Sequence, residues 1–393
     1  MVDFSSNNIG DPPPAEARRF SRETFLFASL VLLVLAFGFT AFVTRMYHMK
    51  IHTLADSWFA KGETSYKSGN AAAALVDYRN ALVFSPNNTQ FQFHLAQALA
   101  ATGHDEEARS YLLNLLSESP GSGGINLELA RIAARQNSMA ESLRYYHGAI
   151  YGVWETDPID MRWKVRRELS EYLLDHNTAN QAVAEIILLA ENTPPSDTER
   201  MKIAGNLLLR AQIWPRALSV FRSILAANES DEDALAGAGV ASFEMGQYSQ
   251  ATHYFSRLPR EKLTDPKVSE MAEASRQLVA ADPFSSGLSA EERSRRAAGD
   301  FSIAQSRLQA CAGARGISLS DSSVASPLQE AFAASQSMQK EWTMRNFRLH
   351  PDRMEAAMAL VFNIENLTAQ QCGPAEGEDG ALWLLGRSRG AIP

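Results

Sequence analysis

The residues of this chain whose chemistry is easiest to specify are its two cysteines, Cys311 and Cys372. A pair placed near the ends of separate helices suits a disulfide in an oxidising compartment. Such a bond would close a loop of about 60 residues and stabilise the C-terminal region by roughly 4 kcal/mol in the chain-entropy picture. Two buried free thiols are the alternative. Beyond this pair the catalytic spacings are absent: there is no G-x-x-x-x-G-K phosphate loop, no H-E-x-x-H, no G-x-S-x-G and no C-x-x-C-H. The histidines, among them His94, His104, His147 and His176, read as surface or packed residues rather than metal ligands. Glu291, Glu292, Arg293, Arg295 and Arg296 read as a solvated helix face whose ion pairs are each worth little. Trp342, Arg345, His350 and Asp352 stand close in sequence and are the first place to look for an enzyme or ligand-sensor site in the C-terminal region. Their spacing demands no particular chemistry. No catalytic residue, metal or cofactor is expected, so function must come from surfaces and from what positions them.

Composition narrows those surfaces. The net charge of −8 is spread along the chain and the arginines are interspersed with acids, so the basic face of a nucleic-acid binder is missing. Residues 1–24, with Pro12 to Pro14, lack apolar periodicity and read as a flexible tail. From Phe25 to Val43 the chain carries no charge. At about 1.5 Å per residue this run is close to the roughly 30 Å of a bilayer core, so residues 25–44 read as a transmembrane helix. A buried core helix and a cleaved signal peptide are the alternatives. Against the latter stand the long polar lead, a run longer than the usual apolar region of about 7 to 15 residues, and no A-x-A site beyond it. Arg18, Arg19 and Arg22 precede the span, whereas Arg45 and Lys50 follow it. The positive-inside rule then puts the N-terminus in the cytoplasm and the body in the periplasm or another extracytoplasmic space, as a single-pass protein.

After the span the sequence repeats. Gly69 and Gly103, Ala74 and Ala108, and Pro86 and Pro120 are each 34 residues apart. The first unit, 55–88, carries Trp58, Gly62, Gly69, Ala74, Tyr78, Ala81 and Pro86, small residues for a close helix crossing and aromatics to fill the gaps. Units follow at 89–122 and 123–156. An insertion with Asp157 and Pro158 places Ala182 40 residues after Ser142, and further units run over 163–195, 198–231 and 232–265. This pattern resembles the tetratricopeptide repeat family. The resemblance implies an all-α, right-handed superhelix of helix-turn-helix repeats with a concave groove lined by the first helix of each repeat. Independently of the name, each unit has apolar residues at helical spacing on both helices, so neighbours must stack to bury them.

The regular array ends at 287 after a partial seventh unit, so the reading is a 45–54 juxtamembrane helical linker, 55–287 repeats, and 288–393 a helical cap or small domain. Within the cap, Ser289 with Glu292 starts a helix to about Cys311, and Ser326 with Pro327 one to about Arg348. A third runs from Asp352 to Gln371, and a short tail with Leu382, Trp383 and Leu384 follows. No Pro or Gly lies between Arg45 and Gly62, so the membrane helix is expected to continue into the first repeat.

Groove-facing positions on the first helices are Phe59, Glu63 and Tyr66, Phe93 and Gln97, Arg131 and Arg135, Arg167 and Glu171, and Lys202, Asn206 and Arg210. Phe59, Tyr66 and Phe93 would anchor a peptide if exposed. Some relatives in the family hold a peptide's C-terminal carboxylate with Lys and Asn on successive first helices. Lys202 and Asn206 resemble the opening of that clamp, but Gly237 stands where its second asparagine would be. The resulting expectation is a non-enzymatic, membrane-anchored scaffold that binds a protein partner through its groove, as an accessory or assembly subunit of an envelope membrane complex. An enzyme or sensor with its site in the C-terminal region and the repeats as its positioning arm is the alternative.

Overall fold

At six turns within the repeat region of the described residues, a residue in left-handed backbone conformation turns one helix back against the next. These are Gly69, Gly103, Asn137, Asn177, Gln212 and Gly246, with φ between 55° and 83°. At each turn the following amide donates to a carbonyl five residues back, as in Asn70 to Ser65 at 2.9 Å and Gln247 to Ser242 at 2.9 Å. That bond satisfies a carbonyl the ending helix leaves open. A computed structural model describes residues 22–261, 263, 265–319, 326–341 and 350–392. Among these residues the fold is all-α, with 17 helices, and its contacts divide the chain into two bodies, Met1–Thr156 and Asp157–Pro393.

The first body contains α1 (Arg22–Lys67), α2 (Ala71–Phe84), α3 (Thr89–Ala101), α4 (Asp105–Glu118), α5 (Gly123–Arg135) and α6 (Met139–Tyr151). Helix α1 is continuous for 46 residues, with no break at Lys50 to Thr53. Its Thr24–Lys67 portion is long and apolar enough to cross a membrane. From Ala55 onward α1 is the first helix of a hairpin with α2, and α3/α4 and α5/α6 repeat the arrangement. Tyr78 shows why a glycine sits at position 62: a Cβ there would lie 2.6 Å from its ring. Leu95, Leu99, Leu112, Leu129, Ile132 and Ile150 complete the interior. Trp154 ends this body, donating its indole N–H to the Ala149 carbonyl at 2.9 Å while its ring covers Gly123.

The second body begins at Asp157, which caps α7 (Pro158–Asp175) by accepting the Asp160 amide. It continues with α8 (Ala179–Glu191), α9 (Thr198–Arg210), α10 (Trp214–Ala227), α11 (Glu232–Glu244) and α12 (Tyr248–Phe255) as hairpins, and α13 (Pro266–Ala281) as an unpaired first helix. Phe221 fills the space beneath two glycines; a Cβ on Gly205 or Gly237 would come within 2.7 or 2.3 Å of its ring. The chain then leaves the repeat for α14 (Ala290–Ala314), α15 (Pro327–Glu341), α16 (Pro351–Cys372) and α17 (Gly377–Ser388).

These last helices share a core with Leu278 of α13 that includes Phe301, Leu308, Leu328, Met358, Val361 and Leu382. Ser289 caps α14, and Ser326 and Gln329 satisfy each other's amides at the start of α15. Cys311 and Cys372 are joined by a disulfide, their Cα atoms 5.8 Å apart. The stretch around Leu382, Trp383 and Leu384 is a helix rather than the expected tail. Burial of Ala381, Leu382 and Leu385 outweighs the low helix propensity of Gly377, Gly380 and Gly386. Trp342 and Arg345 lie outside the described residues, as does the expected end of α15 at Arg348; His350 and Asp352 are exposed at the start of α16.

Candidate partner-binding groove

In the first body the groove positions are consumed by the protein itself. Phe59 stacks on Phe91 with ring centroids 4.6 Å apart and meets His94 edge-on at 5.0 Å. Glu63 accepts the Tyr78 hydroxyl at 2.7 Å, and Nδ1 of His94 lies 2.8 Å from the same oxygen. Burial lowers the His94 pKa, against the opposing pull of the Glu63 carboxylate. Burial alone would raise the Glu63 pKa, but the Tyr78 bond and the charges of His94 and Lys67 outweigh it and hold the carboxyl below its usual value. Burial, then the nearby Glu128 carboxylate, raises the Tyr66 phenol. Gln97 donates to Glu128 at 3.0 Å, and Arg131 donates to the same carboxylate oxygen at 3.2 Å. Arg135 forms a two-pronged pair with Asp105 at 2.6 and 3.1 Å. Phe59, Tyr66 and Phe93 are thus half-buried, with Phe93 packed over Gly124 and edge-on to His94.

The second body differs. Arg167 pairs with Glu171 at 3.5 Å, and Arg210 donates to Asp175 at 2.7 Å. Between α9, α11 and α13 lies an open depression of about 370 Å³. Ile203, Leu209, Ala236, Val240 and Val268 give it aliphatic walls; Asn206 and Gly237 also line it. Lys202 does not project freely into this space. Its ammonium lies 3.3 Å from Glu199, 3.0 Å from Asp231 and 3.3 Å from Asp233. Burial alone would lower its pKa, but the three carboxylates more than reverse this and raise it. The Lys202 ammonium is thus engaged by carboxylates, and Arg210 is turned to Asp175.

Sequence reading missed the acidic partners Glu199, Asp231 and Asp233, and also the aliphatic walls. A usable signal was present. Glu63 and His94, Gln97 and Glu128, and Lys202 and Asp233 are all 31 residues apart, the lag that brings successive first helices together. His48 and His52, one turn apart on the exposed part of α1, were also passed over. Among the described residues no group of three or more metal-ligating side chains converges.

No protein-family profile and no curated protein sequence matches the chain. Solved structures similar to it include the C-terminal part of a TPR repeat-containing protein from Cytophaga hutchinsonii, 13% identical, covering 56% of this chain and 86% of that one, with a TM-score of 0.43. Another is PilF of Pseudomonas aeruginosa, 15% identical over 57% of this chain and 99% of that one, TM-score 0.40. YrrB, a TPR protein with an unusual peptide-binding site, is 15% identical over 50% of this chain and 97% of that one, TM-score 0.39. With two-helix hairpins recurring mostly at a 34-residue step, each turned on a left-handed residue, and with Gly62, Gly205 and Gly239 packed beneath aromatic rings of the second helix, this chain has the tetratricopeptide-repeat fold.

Proposed function

We propose that the protein is a membrane-tethered scaffold that receives a segment of a partner protein in the depression between α9, α11 and α13. The observation carrying this reading is that three successive first helices line a space that no side chain among the described residues fills, while the equivalent positions of the first body are occupied internally. The apolar portion of α1 serves as the tether, with the N-terminus cytoplasmic and both bodies on the periplasmic side, where a disulfide between Cys311 and Cys372 persists. Tethering confines the groove near the membrane and raises the effective concentration of membrane-associated partners. An accessory or assembly subunit of an envelope complex is the role that fits. It carries out no chemistry of its own.

The test is site-specific photocrosslinking in cells. A crosslinker at Asn206 should capture a discrete partner that one at exposed Val83 on α2 does not. Equal capture from both positions, or none from Asn206, would sink the groove reading. Labelling of an added cysteine at Glu118 by a membrane-impermeant reagent in intact spheroplasts reports the topology; protection there would reverse it.

A further inference from the structure

We propose that α17 is a proton-held lid: it packs on α13, α14 and α16 while the carboxyls beneath its first turn hold protons, and it lifts as a unit when they ionise, uncovering the part of the core that Leu382 and Leu385 close. Buried acids without acceptor contacts carry this. Glu365 of α16 is fully buried, and neither of its carboxyl oxygens accepts a hydrogen bond among the described residues; the same holds for Oδ1 of Asp379 on α17 and Oδ2 of the buried Asp300 on α14. An ionised carboxylate so placed would lose most of its solvation, so the neutral acid is the form this packing accommodates.

The neighbouring charges point the same way. Arg307 of α14 faces the first pair, with Nε 3.5 Å from Glu365 and Nη1 3.7 Å from Asp379. Its hydrogen bonds go elsewhere, to the Thr368 hydroxyl at 2.8 Å and the Gly373 carbonyl at 3.1 Å. One positive charge against two carboxyls leaves room for one proton, which Glu365 donates to Asp379. Asp379 stands in the first turn of α17, where the helix N-terminus favours its ionised form, and its side chain is 30% exposed, so water reaches the pair from that side. The charges acting on Asp300 are Asp282, Arg296 of its own helix and Glu378 of the same α17 turn. Burial first, then Asp379 for Glu365 and Asp282 for Asp300, raises both groups to about 8, and burial raises Asp379 as well. Raised values mean that the closed lid is favoured at low pH and loses its advantage as pH climbs from the ordinary carboxyl range toward 8.

Local geometry lets α17 leave as a unit. The connection from α16 starts with Gly373 at φ 103°, Gly377 opens the helix at φ 58°, and no side chain of the described residues caps that start. What holds it is burial of Ala381, Leu382 and Leu385, together with a two-pronged bond from Arg389 to Asp282 at 2.7 and 2.8 Å. Helix α13, on which the lid packs, also lines the depression through Val268, so the lid backs one wall of the groove.

Hydrogen exchange of the full-length protein in lipid nanodiscs, corrected for the intrinsic pH dependence of amide exchange, reads lid opening between pH 6 and pH 9. Protection of residues 377–388 should fall at least tenfold from pH 6 to pH 8 while that of α14 and α16 holds. Glu365→Gln combined with Asp300→Asn keeps the neutral shapes and should abolish the fall. Arg389→Gln should lower protection of α17 at every pH while leaving the fall in place. Protection of α17 that is independent of pH in the unaltered protein, or lost in step with α14 and α16, would overturn the proposal, as would an equal fall in the double variant. The pH series of the unaltered protein decides the matter whether or not the double variant folds.

Discussion

One turn after Phe59 in the first body stands Glu63, whose carboxylate binds Tyr78 and His94 of neighbouring helices. In the second body Lys202, which stands at the repeat position of Phe59, is held by acids, two of which, Glu199 and Asp233, line an open depression with aliphatic walls. Both are polar residues on first helices, and both reach the next first helix 31 residues on. Aromatic bulk separates their fates. Phe59, Phe91, Phe93 and His94 fill the first groove, whereas Gly237 and Ala236 leave the second open. The same backbone plan thus carries a filled groove in one body and an open depression in the other.

The largest expected effect separates the bodies by their covalent support. Replacing Cys311 and Cys372 together with Ser should destabilise the second body by up to about 4 kcal/mol in the chain-entropy picture, leaving the first body's transition unmoved. Urea unfolding followed by hydrogen exchange in each body reads this directly. Loss of both transitions together would show that the bodies unfold as one.

Dependence on pH should have opposite sign in the two. Burial, then the neighbouring Asp379, raises the pKa of the fully buried Glu365 to about 8, and burial followed by Asp282 does the same to Asp300. From the unperturbed Glu value of 4.5 up to about 8, unfolding releases a proton from Glu365 that the folded body retains. Its contribution is therefore fully present below that window and lost as pH rises through it. Glu63 behaves inversely, since its pKa is depressed: its contribution is present above 4.5 and lost as pH falls further. Glu365→Gln should flatten the alkaline loss, on the order of a few kcal/mol, and Glu63→Gln the smaller acid loss. Melting each variant from pH 4 to 9 checks both; an unchanged profile for Glu365→Gln would remove that carboxyl as the cause.

Glycine substitutions sharpen the contrast in packing. Gly237→Ala drives a methyl to within 2.3 Å of Phe221 and should cost about 1–3 kcal/mol. Gly124→Ala in the first body meets only the Phe93 ring at 3.3 Å, which can shift, and should cost less. Equal losses would mean that Phe93 is as firmly held as Phe221. Smallest of all, Arg210→Ala removes an exposed pair with Asp175 and should change the melting free energy of the second body by less than about 1 kcal/mol.

Much of the fold was legible because its rule is periodic. Gly69 and Gly103 announce the turn and its step together. Gln212 takes the same left-handed position without announcing it, since its side chain has no special tolerance for that conformation and the flanking helices impose it. Helix α17 was illegible for a related reason: its glycines argue against helix, and only the long-range burial of Leu382 and Leu385 decides the matter. At the groove, the helical face was readable and the occupancy was not. Whether Lys202 is free or ringed depends on acids one repeat away, a tertiary distance that side-chain identity on α9 alone does not encode.

Continuity of α1 from Arg22 to Lys67 also makes it a rotary coupling. Each residue of an α-helix advances about 100° and 1.5 Å, so one residue inserted between Arg45 and Leu54 would turn the first hairpin through more than a quarter circle relative to the apolar stretch while lifting it only slightly. Seven residues, two near-complete turns, would restore the original azimuth at a height about 10 Å greater. Azimuth and height can therefore be set almost independently by the length of one unbroken segment, and an insertion series through it would reveal which of the two the partner measures.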